Sequence, residues 1–371
     1  MTVRVALIVK QFVPYRIRIF HEISRLSGVD AHFIFDAPPT PEDREILEQF
    51  PFAYSVIPTN IALPRALFVH GRFRRYLPLG LYRLLRELRP DVVVCPEYSL
   101  QSGVGGFYAK RHGAKLVIWA SLTKLGDCIS FPLQAQYRQW LRKRAASFIC
   151  YSKLAVEYLE SHGVHPERCF VAENCTDVLF FRANGQRPPS ANDEVRITFI
   201  GALTDVKRPE DVLLALRPLV DIKWRLTMVG TGELRDELEP RAAEWFPGRV
   251  HFTGQVGRSR VRDILLSTDV FVFPTKYDPW AHVIDEAMAA GCAVVSSSNS
   301  VAALELLDDG VNGLVYPSGD VSRLTSILQQ LLSDPIRIAA LGRAAERTME
   351  RHNELISVQG IQRAIAFVRV S

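Results

Sequence analysis

One feature constrains this chain more than any other. Short β-branched runs alternate with amphipathic stretches, stop once at a polar break, and then resume. Strand-like runs fall at Val3–Val9, Ala31–Phe35, Asp91–Cys95, Lys115–Trp119 and Ser147–Tyr151. Helical patterns lie near Ile17–Ser27, Leu79–Leu88, Leu100–Arg111, Leu133–Ala145 and Lys153–His162. Strands alternating with helices build βαβ units and a parallel sheet, because parallel neighbours need a long crossover. The stretch Arg182–Glu194 is polar, contains Pro188-Pro189 and has no period, so it reads as a linker. Strand runs then return at Val195–Ile200, Trp224–Val229, Val250–Phe252, Val270–Phe273 and Ala293–Ser296. Helical patterns near Pro209–Leu216, Glu233–Trp245, Arg258–Leu266, His282–Ala290 and Val321–Leu332 separate them. The pattern predicts two doubly wound α/β domains, residues 1–182 and 195–349, joined by 183–194, with ligands in a cleft between them. The helical tail Pro335–Val370 has no strand to cover, so its end, about 350–371, is expected to pack back on the first domain.

Charge is divided unevenly. The net +5 separates into +9 over residues 1–187 (25 Lys+Arg, 16 Asp+Glu) and −4 over 188–371 (20 and 24). A basic first half suggests an anionic partner. Its densest stretch places Arg65, Arg72, Arg74, Arg75, Arg83, Arg86 and Arg89 among aromatic and aliphatic residues such as Phe68, Phe73, Tyr76 and Leu79. Such a stretch can dock peripherally on an anionic membrane. It can equally be a helix with Leu81, Leu84, Leu85 and Leu88 on the sheet and its arginines in water. The arginines are scattered without an interleaved stacking signature, so no nucleic-acid partner is expected. The longest uncharged run, Ala287–Leu304, contains Ser296-Ser297-Ser298-Asn299-Ser300 and is a poor membrane span. Six cysteines without a C-x-x-C pair or zinc spacing fit reduced thiols in a cytosolic compartment.

Four segments could carry chemistry. Gly201–Glu210 follows a strand and opens a helix at Pro209, with Lys207 and Arg208 beside a helix start suited to phosphate. Its plain alternative is a helix start with two solvated cations. Met228–Leu234 carries Gly230 and Gly232 at a strand end, where a ligand can approach the backbone, though an ordinary turn reads the same way. Thr275–Gly291 is the densest. Asp278 sits in a loop, and His282 and Glu286 share a face of the helix that follows. Asp308–Pro317 contains Asn312-Gly313, a turn before a short strand.

In this order and spacing the four segments resemble the C-terminal half of family 4 glycosyltransferases, retaining enzymes of the GT-B fold. The family's G-x-L…K, V-G-x-G-x-L, E-x₇-E with A-M-A-x-G, and D-G-x-N-G segments appear as Gly201–Lys207, Val229–Leu234, Asp278–Gly291 and Asp309–Asp320. The first half matches through Ser152 and Asn174–Asp177. The resemblance implies two Rossmann-like domains and a nucleotide-sugar donor, a UDP-, GDP- or ADP-sugar. A sugar or lipid-linked acceptor is expected, in a cytoplasmic protein for which peripheral contact with the inner face of the membrane stays open. No metal or other cofactor is expected. Lys207 would hold the donor diphosphate with Arg208 as a possible second cation, Glu286 the ribose hydroxyls, and Asp278 the donor sugar. Gly201, Gly230, Gly232 and the backbone of Ala281, His282 and Val283 would line the donor, with Glu305 at the edge. Arg16, Ser121 and Asn174 are the first-domain contacts expected.

The chain departs from the family pattern in four places. Asp278 stands where the family carries Glu. Ala202 replaces a common Arg. Lys10–Arg16 lacks the glycine-rich turn, and Trp119-Ala120-Ser121 lacks a common His. These departures keep two alternatives open, a nucleotide-sugar-binding protein without transfer activity and a non-glycosyl coupling enzyme on the same fold. A nicotinamide-dependent dehydrogenase would need G-x-G-x-x-G after a first strand, which neither half has.

Overall fold

The computed structural model describes residues 2–58, 61–62, 76–127, 132–183 and 194–370. Two compact units form. One runs through Asn174 and takes in the chain from Glu354 onward; the other is Cys175–Asn353.

The first unit is a seven-stranded sheet ordered β3-β2-β1-β6-β7-β8-β9. Its strands are β1 (Val3–Val9), β2 (Val29–Phe35), β3 (Tyr54–Val56), β6 (Val92–Pro96), β7 (Lys115–Ala120), β8 (Ser147–Cys150) and β9 (Cys169–Val171). A separate antiparallel pair, β4 (Ile61–Ala62) with β5 (Tyr76–Leu77), stands apart. All pairings in the large sheet are parallel. The central strands are therefore buried on both faces, and their sequences are nearly continuous apolar runs such as Val92–Cys95. β3 and β9 are three-residue edges, too short to give a periodic signal of their own.

The second unit is a six-stranded parallel sheet, β12-β11-β10-β13-β14-β15. Its strands are β10 (Val195–Ile200), β11 (Trp224–Val229), β12 (Val250–Gly254), β13 (Val270–Phe273), β14 (Ala293–Ser297) and β15 (Leu314–Tyr316). Strand order reverses between β10 and β13, the point where such sheets open a crevice at the strands' carboxyl ends. Its core joins Phe199, Trp224, Met228 and Val272 to Leu213 and Leu328 from the covering helices.

The tail divides close to where the sequence placed it, with the return to the first unit beginning at Glu354 rather than at about 350. Its periodic stretch is two helices, Pro335–Arg351 and Glu354–Val370, broken at His352-Asn353. The first belongs to the second unit and packs on the helix His282–Ala289. The second returns to the first unit and lies on helix Pro14–Ser24, β8 and β9. Ser147 Oγ donates to the Ala364 carbonyl at 3.1 Å, and Arg18 pairs with Glu354 at 3.2 Å. The unit boundary also differs from the expected linker. It falls at Asn174/Cys175, because the short helix Val178–Phe181 packs on Arg258–Leu266 and His282–Ala289. The Ala183 amide likewise bonds the Ala289 carbonyl at 3.3 Å. Residues 184–193 of that linker, residues 63–75 of the basic stretch and Cys128 lie outside the described residues. Within the remainder of the basic stretch, Leu81, Leu84 and Leu85 are buried and Leu79 is exposed, as expected of a helix resting on a sheet.

Gly360 lets the returning helix come close. A Cβ there would stand 2.1 Å from the Val171 carbonyl oxygen, a backbone atom that cannot rotate away. Gly360→Val should cost about 1–3 kcal/mol by overpacking. Urea unfolding of the first unit should show the loss. An unchanged midpoint would mean the helix can sit farther from β9 than the structure places it.

Candidate functional site

The densest convergence of the expected residues lies where β10 and β13 diverge. The loop after β10 runs Gly201–Arg208, and the loop after β13 runs Pro274–Ala281. Backbone bonds fasten one to the other. The Lys276 amide reaches the Val206 carbonyl at 2.8 Å, and Thr275 Oγ1 donates to the same oxygen at 3.0 Å. The second loop is pinned in turn to the start of helix Val301–Leu306: the Asp278 amide bonds Asn299 O and the Val301 amide bonds Asp278 O, both at 3.0 Å.

Lys207 and Asp278, expected to hold the diphosphate and the sugar, form a direct ion pair. Both side chains are nearly buried, at 11% and 13% exposure, so the pair is poorly screened. The Lys207 ammonium also lies 5.2 Å from the centre of the Phe273 ring. Asp278 Oδ1 accepts from the Trp280 amide at 2.9 Å, which fixes the carboxylate's orientation. Arg208 behaves differently from its expected role. It adopts φ +50° and forks onto Asp211 at 2.6 and 3.0 Å, so its charge is already matched within its own turn.

Helix His282–Ala289 begins at Ala281 without a side-chain cap, and the positive end of its dipole favours an anion there. Behind it Asp285 is fully buried, accepting from Trp280 Nε1 at 3.2 Å and facing His282 Nδ1 at 3.4 Å. Glu286 lies one turn in and is half-buried. Burial and the neighbouring Asp285 charge push its carboxyl up to about 8, with Arg258 and the Thr176 hydroxyl pulling the other way. Glu305 is on helix Val301–Leu306, the helix whose start is tied to Asp278.

The glycines have a packing reason. Gly230 has φ +132°, and a Cβ on it would meet the Gly201 carbonyl oxygen at 1.9 Å. A Cβ on Gly232 would meet Leu203 O at 2.2 Å. The turn after β11 thus lies directly on the turn after β10, joined by Leu203 N to Thr231 O at 3.0 Å.

In the first unit, Arg16 and Asn174 come together. Arg16 Nη2 donates to Tyr151 Oη and to Asn174 Oδ1, the latter at 3.4 Å, and the guanidinium lies 5.5 Å from the Trp119 ring. Ser121 is bound elsewhere. Glu97 Oε2 accepts from the Ser121 amide at 2.5 Å, the Leu122 amide at 2.6 Å and Ser121 Oγ at 3.1 Å. Burial pushes the Glu97 carboxyl up despite these donors. The sequence reading missed Glu97; its one signal was a lone acid just after an apolar strand. Among the described residues no group of three His, Cys, Asp or Glu side chains is placed to hold a metal ion.

The model of glycosyl transferases group 1 matches residues 181–348, and that of glycosyltransferase family 4 matches residues 21–178. The phosphatidyl-myo-inositol mannosyltransferase of Mycolicibacterium smegmatis is 30% identical over 312 residues, 82% of this chain and 77% of that protein. The chain belongs to glycosyltransferase family 4. An uncharacterised glycosyltransferase of Methanocaldococcus jannaschii is 34% identical over 146 residues, 38% of this chain and 37% of its own length. Among solved structures, this family 4 glycosyltransferase is similar to Anabaena HepE in complex with UDP and glucose. The TM-score is 0.75 and identity 17%, covering 98% of this chain and 99% of that one. The likeness shows the fold, two Rossmann-like parallel-sheet units of GT-B type.

Glu286 gives the second unit a pH signature. Folded, its carboxyl holds a proton up to about 8; unfolded, it releases it near the ordinary 4.5. The folded state therefore binds the extra proton between those values, and this contribution to stability is full below about 4.5 and lost as pH rises to about 8. Glu286→Gln keeps the neutral shape without the proton. The stability of the Gln variant relative to wild type should increase from pH 5 to 8 and level off above. A pH-independent difference in urea midpoints would show that Glu286 is ionised in the fold.

Proposed function

We propose that the chain transfers a hexosyl group from a nucleoside diphosphate sugar to an acceptor hydroxyl, with retention at the anomeric carbon and without a metal ion. The observation that carries this reading is the convergence of Lys207, Asp278 and the uncapped start of helix His282–Ala289 at the β10/β13 switch point, with Glu286 one turn farther in. In the reaction the bond from the anomeric carbon to the diphosphate oxygen breaks, and a bond to the acceptor oxygen forms on the same face. The acceptor's proton goes to the departing phosphate oxygen. Negative charge grows on that phosphate, so a fixed cation and oriented N–H groups there lower the barrier. Lys207 exchanges Asp278 for the diphosphate, and Asp278 turns to a sugar hydroxyl. Glu286, once ionised, accepts from the two ribose hydroxyls. Gly201, Gly230 and Gly232 keep the strand ends bare for the nucleotide.

Arg16 and Asn174, already joined in the first unit, are assigned to the acceptor side. A lipid-linked acceptor at an anionic membrane face is supported by the +9 charge of residues 1–187 and by the relative whose name specifies phosphatidyl-myo-inositol. No helix among the described residues is long and apolar enough to cross a membrane, so contact with lipid would be peripheral.

Calorimetry with UDP, GDP and ADP identifies the base. A carboxylate on two hydroxyls contributes about 1.5–3 kcal/mol, so Glu286→Ala should weaken the preferred nucleotide at least about tenfold while leaving unfolding cooperative. Unchanged affinity in a folded variant rejects the ribose assignment. Proton NMR of the first product should show the donor's anomeric configuration, and chelator treatment should leave turnover intact. An inverted product, or loss of turnover restored by a divalent cation, rejects the mechanism.

A further inference from the structure

The first unit carries a cavity at the amino-terminal edge of its sheet. It encloses about 370 Å³ and is lined by Arg4, Arg86, Arg89, Asp91, Tyr108 and His112, together with Pro90. These residues come from the start of β1, the end of helix Leu81–Leu88, the turn into β6 and the end of helix Leu100–His112. Arg4 and Asp91 satisfy one another, through Nη2 to Oδ1 at 3.2 Å and the Arg4 amide to Oδ2 at 2.9 Å. Arg86 and Arg89 have no carboxylate partner among the described residues, since the nearby Glu87 pairs with Arg83. Three guanidiniums against one carboxylate leave two positive charges around one cavity.

Two details go beyond a chance cluster of cations. Arg89 ends its helix with φ +48°, its N–H on the Leu85 carbonyl at 2.9 Å. Glycine ordinarily takes that left-handed position, and the next helix of the unit does end on one, Gly113 at φ +74°. Here an arginine takes it, and its side chain lines the cavity. His112 is also held in place: its ring stacks on Tyr108 at 4.5 Å between centroids, and Nε2 meets Tyr82 Oη at 3.1 Å.

We propose that this cavity binds a phosphomonoester through Arg86 and Arg89, with His112 completing the site. Guanidinium forks match phosphate oxygens bidentately, and a protonated imidazole adds charge near the pH at which a phosphomonoester takes its second charge. The volume exceeds that of a phosphate alone and leaves room for a small organic body. The site belongs to the first unit, whereas the residues assigned to the nucleotide belong to the second, so it stands or falls independently of the proposed reaction.

The His112 ring is the local probe. Full-length protein labelled at histidine, with His112→Gln used once to assign the resonance, is titrated with glycerol 3-phosphate. The His112 signal should shift saturably. The Arg86→Ser/Arg89→Gly variant should bind at least tenfold more weakly; glycine fits the left-handed position, so the helix end is preserved, and the single variant Arg86→Gln serves if the double one unfolds. Co-sedimentation with phosphatidic acid vesicles, against phosphatidylcholine, separates the source. Capture that the arginine substitutions abolish assigns the phosphate to a lipid headgroup; saturation by glycerol 3-phosphate without capture assigns it to a soluble ligand. No saturable shift together with no arginine-dependent capture overturns the proposal, as does an identical response in wild type and variant.

Discussion

The Lys207–Asp278 ion pair is the contact on which the candidate site depends. Parallel order sends the chain after β10 and after β13 into separate crossovers, so the two loops share no strand and no turn. The ion pair, with the Lys276–Val206 and Thr275–Val206 bonds beside it, brings them together. At roughly one-tenth exposure neither charge is stable alone, because an unpaired charge in such a place is strongly disfavoured. In the proposed reaction an incoming diphosphate would offer Lys207 an alternative anion, and the released Asp278 would turn to a hydroxyl or another donor, which would couple binding to rearrangement through this one pair of side chains.

Glu286 follows a related rule. A carboxylate beside Asp285 on a largely buried helix is pushed toward its neutral form, and Arg258 only partly offsets this. The group is therefore poised within the physiological range, and ligand hydroxyls that favour the ionised form would be coupled to proton release. The glycines at 230 and 232 have the opposite character, with no charge and no freedom. Their missing side chains let the turns after β10 and β11 touch.

Much of this was legible before any coordinates. The change from short β-branched apolar runs to helical patterns located every strand of both large sheets except the short ones β3, β9 and β15, the last anticipated only as a strand after the Asn312-Gly313 turn. Those strands are three residues long, too short to stand out as apolar runs. The Gly201, Gly230 and Asp278 segments were legible as well, because a bare turn at a strand end and an acid before a helix are local features. Glu97 was not, since its donors, Ser121 and Leu122, are more than twenty residues away and nothing in the local pattern foretells that contact.

The sequence by itself determined the class of structure and its approximate division, because hydrophobic periodicity and turn chemistry act over a few residues and need no knowledge of what lies opposite. It could not decide partners. Arg208 beside Lys207 reads as a second phosphate cation, yet three residues on Asp211 claims it. The end of the tail was expected on the first domain for want of a strand to cover, but the sequence did not show which contacts would hold it there. That placement rests on the 2.1 Å clearance a Cβ at Gly360 would have from Val171 and on the Ser147–Ala364 bond, contacts across well over a hundred residues. Local chemistry fixes which elements form, whereas the pairing of charges and the seating of helices are settled where distant segments compete for the same burial.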